Sequence, residues 1–469
     1  MSYRFVHIVG IFIFLMALVT VSCQESESAM TDNEEEFSGG KTATVFIKSA
    51  DALGQPLNGL THEEIRHFQM GNSLNRNNWV AAPSSTTARD GLGPLFNATA
   101  CASCHVRDGK GNPYNSQDQP TQSLLFRLSV PGKNEQGGPL ADPAYGLQFA
   151  HQSVIGTKPE GTVSVEFEEI SGHYPDGTAY SLRKPTFTFS GLNYGEMHPE
   201  IMTSARLAPP MAGMGLLDAL DEQTILEWED AEDKNNDGIS GRPNYVWDVR
   251  KQKTVLGRFG WKANEPTAEQ QIAGAFSGDM GITSAIFPEE NLTPAQAQLM
   301  AHLPNGGTPE LEDHALEDVL FYIQTLATPA RRNWQDEEVK KGKLLFFKAG
   351  CENCHRSKMT TSETAFPKHL ANQTIRPYTD LLLHDMGEGL ADNRPDFEAS
   401  GREWRTAPLW SMGLQKTVSK HTFFLHDGRA RNPEEAILWH GGEAEKSKQA
   451  FMQYSLIERE ALLRFLDSL

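Results

Sequence analysis

The chain has 469 residues, 61 acidic against 42 basic side chains, and a formal net charge of −19. Such a surface repels phosphate backbones, which excludes nucleic acid as a partner and suits a basic or neutral redox protein. From residue 41 on there is chain enough for two or three domains.

The N-terminus carries an apolar run from Ile8 to Ser22, preceded by Arg4. The run is too short for a transmembrane helix and has the length of a signal-peptide core. It ends in Val19-Thr-Val-Ser-Cys23, which has the form of a bacterial lipobox. The expectation is a signal peptide over 1–22 and a mature chain that starts at a lipidated Cys23. The protein is then exported, anchored to the membrane and periplasm-facing; an ordinary secretory signal is the other reading. Residues 23–40 are acidic and almost free of large apolar side chains, and are expected to form a disordered tether.

The body opens with an alternating stretch, Thr44 to Lys48, expected to be a strand. A helix follows Thr61, with Glu64 three residues on as in a capping box. Alternation at Val163 to Phe167 and Pro185 to Phe189, around the turn Pro175-Asp-Gly177, predicts a β hairpin over 162–189. Asp233, Asn235 and Asp237, with Gly238 at the sixth position, match the first half of a calcium loop. The twelfth position is Asn244 rather than glutamate, with Asp248 as a substitute further on, and a solvated turn is the competing reading. Further helices are expected over 293–302, 310–326, 336–347 and 455–469, the last with Leu456, Leu462, Leu463 and Leu466 on its apolar face.

Two segments share one pattern: Cys101-Ala-Ser-Cys104-His105 and Cys351-Glu-Asn-Cys354-His355. C-x-x-C-H is the attachment signal for c-type haem: two thiols add to the vinyl groups and the histidine becomes an iron ligand. A zinc site built from the two pairs leaves both histidines without a purpose. The five cysteines then divide completely, and no thiol is left for a disulfide or for thiol catalysis. The expected fold is mainly α, with two cytochrome c-type haem domains. The first, 41–329, has long insertions that include the hairpin; the second is 330–469.

Both C-x-x-C-H motifs join Asp237-Gly-Ile-Ser-Gly-Arg242, Gly257-Arg-Phe-Gly-Trp-Lys-Ala263, Leu381-Leu-Leu-His-Asp-Met-Gly387, Arg405-Thr-Ala-Pro-Leu-Trp410, Phe424-Leu-His-Asp-Gly-Arg429 and Trp439-His-Gly-Gly442. With these the chain resembles the di-haem oxidoreductase family, a group of peroxidase-like proteins sometimes labelled thiol oxidoreductases. That family is similar to bacterial di-haem cytochrome c peroxidases and to the di-haem enzyme of methylamine utilisation. The resemblance implies a peroxidase-like enzyme in which one haem binds an oxidant such as hydrogen peroxide and the other exchanges electrons with a redox protein. A pure electron carrier and an oxidase or oxygenase of an organic substrate are the alternatives.

The resemblance also places the second haem's distal ligand fourteen residues beyond His426, at His440, opposite His355. His426 is the next candidate. No histidine or methionine stands between His105 and His151. The first iron's sixth position is therefore open, or filled by His151, His173, His198, Met211 or Met214. Arg405 and Arg429 are expected at haem propionates. Glu166, Glu168, Glu169 and Glu196 are available for proton transfer to peroxide, and Trp79, Trp247 and Trp261 for an electron path between the haems.

Overall fold

The computed structural model describes residues 32–469. The signal-peptide run and Cys23 lie outside these residues. The expectation of a mainly α protein is overturned. Helix makes up 28% and strand 19%, and the strands form seven small sheets of two or three strands among the described residues. Two stretches of period two account for much of the difference. Leu124–Lys133 and Met202–Leu207 pair antiparallel, Leu124 opposite Leu207 and Ser129 opposite Met202. Successive strand side chains point to opposite faces. Leu124, Phe126, Leu128, Ala205 and Leu207 enter one apolar core, so Leu125, Arg127 and Arg206 lie on the reverse face.

The hairpin joins Thr162–His173 to Ala179–Ser190, with Thr162 opposite Ser190 and His173 opposite Ala179. Its base packs on the core of Phe126 and Phe149. Its tip reaches the C-terminal part of the chain. There Tyr174 donates to Glu434 at 2.7 Å, Asp176 accepts from the buried Arg459 at 2.9 Å, and Tyr174 and Leu182 join the core of the terminal helices.

Helix His62–Arg76 starts at Thr61 with the expected capping box. It lies against Asp313–Gln324, where Phe68 meets Tyr322 with ring centroids 4.8 Å apart. Gly71 allows this, because a Cβ there would sit 2.0 Å from the Asp318 carbonyl oxygen. Gly342 does the same between helices Glu337–Lys348 and Leu456–Ser468, whose backbones cross at Ala461. Around that crossing Phe346, Leu462, Phe465 and Leu466 are buried, each worth about 1.5–3 kcal/mol of apolar transfer.

The strand expected over 44–48 is two residues long, Thr44–Val45, and pairs parallel with Thr328–Pro329. The acidic segment before it is no free tether from residue 32 on. Asp32 makes a two-pronged ion pair with Arg376, at 2.7 and 2.9 Å. Glu35 is buried between Arg331 and Lys343. Acidity that suggests disorder serves here to dock the segment onto cations beside the second C-x-x-C-H motif.

Candidate functional site

Cys101–Cys104 forms a single helical turn that ends at His105. His105 Nδ1 lies 2.7 Å from the Pro209 carbonyl oxygen. A carbonyl only accepts, so Nδ1 carries the proton and Nε2 keeps its lone pair for a metal. Burial lowers the histidine's pKa and pushes the Cys101 thiol up to about 12. Both side chains are half-buried.

The second motif repeats this and adds a partner. His355 Nδ1 donates to the Tyr378 carbonyl at 2.9 Å. His440, at the end of helix Pro433–Leu438, donates from Nδ1 to Ala436 at 2.7 Å. Both rings therefore keep Nε2 free. They lie close enough for charge on one to disfavour charge on the other; with burial as the larger cause, this takes His355 down to about 4. Burial pushes the neighbouring Cys351 thiol up to about 12. Gly442 brings the His440 segment in, since a Cβ there would lie 2.1 Å from the Asp385 carbonyl oxygen.

The residues present fit two c-type haems. Four thiols, none in a disulfide, stand beside two histidines of fixed tautomer. Arg405 adds a half-buried cation suited to a propionate: Nε donates to Gly260 and Nη1 to Thr406. Burial pulls its pKa to about 10. Arg429 does not meet that expectation, because its guanidinium is spent on Asp427 at 2.7 and 2.8 Å and on the Gly389 carbonyl at 2.6 Å. The two cysteine pairs border different apolar cores, so they do not make one zinc site.

The candidates for the first iron's sixth position separate by their contacts. Asn97 Nδ2 donates to His151 Nδ1 at 2.8 Å and to the Phe149 carbonyl at 2.8 Å, while its Oδ1 accepts from Gln148 at 2.9 Å. The amide orientation is thus fixed, the His151 proton is on Nε2, and the lone pair an iron needs at that atom is absent. His198 Nδ1 accepts from the Glu200 amide, and His173 ends the hairpin strand opposite Ala179. Met211 and Met214 belong to the apolar cluster that borders Cys101.

Glu166, Glu168, Glu169 and Glu196 are all exposed, the first three on the hairpin. Two acids that the sequence reading passed over are desolvated. Burial pushes Glu265 up to about 7 and raises Asp279, and Arg127 acts on both. Asp279 also opposes ionisation of Cys101 and Cys104, which places it beside the first motif. The strand period would have pointed to them, because it turns Arg127 away from the apolar core as a cation in need of partners.

Of the three tryptophans, Trp79 is a core residue against Phe276 and Trp247 sits in a two-stranded ladder opposite Thr254. Trp261 lies between the sites. Its Nε1 donates to Leu207 at 2.8 Å, two residues from the carbonyl that holds His105. Its own carbonyl accepts from the Arg405 amide at 2.9 Å. His426 is buried beside it, edge-on to Trp261 and stacked on Trp404 at 3.8 Å.

In the 233–238 loop the side-chain oxygens are taken by backbone amides: Asp233 by Gly238 at 3.1 Å, Asn235 by Asp237 at 2.8 Å, Asp237 by Ile239 at 2.8 Å. Asn244 is buried and donates to Lys262 and Asp396, and Asp248 pairs with Lys251. Both residues considered for the far end of a calcium loop are thus engaged elsewhere.

A family model described as "Di-haem oxidoreductase, putative peroxidase" matches residues 32–469. No curated protein and no solved structure matches the chain.

Proposed function

Because the chain belongs to the di-haem oxidoreductase family, we propose that it is a peroxidase-type enzyme with covalent haem at Cys101/Cys104 and at Cys351/Cys354. The observation that carries this is the asymmetry of the two sites. His355 faces a second imidazole with a free Nε2, whereas His105 faces none with a lone pair so placed. A haem held at Cys101/Cys104 and His105 would supply the metal position for the oxidant, and one held at Cys351/Cys354 and His355 would supply a store for an electron.

The protein residues do the rest. His105 and His355 are held in the ligating tautomer by Pro209 and Tyr378. Arg405 anchors a propionate at the second site. Reducing a peroxide to two waters takes two electrons and two protons, and Glu265 is the group that moves a proton. Its pKa near neutrality matches that task, and Arg127 beside it steadies the carboxylate. Trp261, hydrogen-bonded to Leu207 on one side and to Arg405 on the other, would shorten an electron path between the two sites.

Carbon monoxide tests the assignment. The reduced protein is expected to bind one molecule per chain, at the first haem. A Cys101→Ala/Cys104→Ala variant is expected to keep one covalent haem, read as a pyridine haemochrome, and to bind none. A wild type that binds no carbon monoxide is an electron carrier instead.

The enzyme acts outside the cytoplasm, anchored through a lipidated Cys23, and exchanges electrons with a redox protein there. Cys23→Ala is expected to move the protein from the membrane to the soluble fraction, because the acyl chains provide the anchoring. Retention on the membrane after a high-salt wash speaks against lipidation.

A further inference from the structure

One chemical unit has no part in the scheme above: the histidine of Leu381-Leu-Leu-His384. Its ring is buried, 2% exposed as a residue, and both nitrogens face carboxylates. Nε2 lies 2.9 Å from Asp380 Oδ2 and Nδ1 lies 2.7 Å from Glu443 Oε2. Carboxylates of this kind only accept, so both nitrogens carry protons and the ring is an imidazolium.

Each anion is held in turn. Glu443 accepts from the Ser240 amide at 3.0 Å, the Ser240 hydroxyl at 2.6 Å and the Asp385 amide at 3.1 Å. Asp380 accepts from the Leu382 amide at 3.0 Å. Burial alone would raise Glu443; the His384 hydrogen bond and charge outweigh it and hold the carboxyl at about 2. On the imidazole, burial works against charge, and the Cys354 sulfur and Asp380 override it. A thioether at Cys354 bears no charge, which leaves the two carboxylates to keep the proton in place.

The ring is also the nearest polar group to the attachment sulfur: His384 Nδ1 lies 3.6 Å from Cys354 Sγ. Cys354, Asp380 and His384 form the single cluster of three such groups close enough for a metal among the described residues. With the sulfur committed to haem, the cluster is not a vacant metal site. What remains is an imidazolium between two carboxylates, and the positive ring lies against the attachment sulfur.

We propose that His384 is a positioning residue for charge: an imidazolium held by Asp380 and Glu443 that keeps the reduction potential of the haem attached at Cys354 above the value those two carboxylates would impose beside a neutral ring. Reduction adds one electron and removes one positive charge from the iron, so a nearby cation favours the reduced state and a nearby carboxylate the oxidised one. A bis-histidine haem tends to a low potential, and the charged ring keeps the two carboxylates from lowering it further. Because the clamp keeps the ring charged, reduction of this haem takes up no proton there. The other charged groups that bear on it are His355, and Arg405 acting through Asp380. This inference rests on the haem-attachment reading above.

Potentiometric titration of the holoprotein, followed at the low-spin haem, is the test. His384→Gln is expected to lower that potential by roughly tenfold in the reduction equilibrium, about 59 mV for one electron, with the first haem unmoved. The wild-type potential is expected to be flat from about pH 5 to 9, the range in which an ordinary histidine titrates. In Glu443→Gln it is expected to fall as pH rises, because the unclamped ring gives up its proton. A haem count by pyridine haemochrome accompanies each variant. Two haems with potentials and pH profiles like those of the wild type in both variants overturn the proposal and leave the attachment reading standing. If His384→Gln loses the second haem, the pH profile of Glu443→Gln decides. A wild type without haem at Cys351 and Cys354 overturns both readings.

Discussion

Replacing His440 with alanine is expected to remove the low-spin signal of the oxidised protein and leave the first haem's signal as it was. His440 and His355 both keep Nε2 free, each with Nδ1 held by a backbone carbonyl at 2.7 and 2.9 Å. Loss of one imidazole leaves a five-coordinate or water-ligated iron, which electron paramagnetic resonance distinguishes directly. The expected cost in peroxide turnover is about tenfold or more, equivalent to about 1.4 kcal/mol of barrier, with peroxide binding at the first haem unchanged. A variant whose low-spin signal persists refutes the ligand pair.

Glu265→Gln is expected to slow the reaction of the oxidised protein with peroxide by about 10²–10⁴-fold, the usual worth of a general base. The pH dependence gives the sign. Burial raises the acid to about 7, so it is protonated and idle as a base below that value, and a carboxylate above it. The wild-type rate should therefore climb as pH passes through about 7, and the amide variant should lack that step. Stopped-flow absorbance at the first haem reads both. Asp279→Asn serves as the comparison, since that acid lies beside the attachment cysteines instead. An unaltered rate and pH profile in Glu265→Gln removes it from the chemistry.

The two candidate attachment motifs were legible in the sequence because each is local: two thiols, a gap and a histidine are contiguous. Helix starts were legible for the same reason, as at Thr61 and Ser455, where both halves of the capping box are a few residues apart. The fold class was not. Two stretches nearly eighty residues apart, beginning at Leu124 and Met202, become strands by pairing with each other, and neither end reveals the other. The choice of a proton-carrying acid failed for a related reason. Glu166, Glu168 and Glu169 stand near the hairpin's apolar positions in sequence, yet they point to solvent, whereas Glu265 and Asp279 reach Arg127 only through the tertiary fold. Composition misled at residues 32–40, because an acidic run is disordered only where no cations wait for it, and Arg331, Lys343 and Arg376 do.

With Cys23 lipidated as proposed, that docking also limits how high the molecule can stand above a bilayer. Arg376 leads directly into Tyr378, whose carbonyl orients His355, so Asp32 fastens the chain to the flank of the second haem. Nine peptide units separate Cys23 from Asp32, a leash of at most about 30 Å when fully extended. With acyl chains at Cys23, that flank stays within roughly a protein diameter of the lipid headgroups. A redox partner would then meet it most readily by moving in the plane of the membrane, and encounter becomes a search in two dimensions.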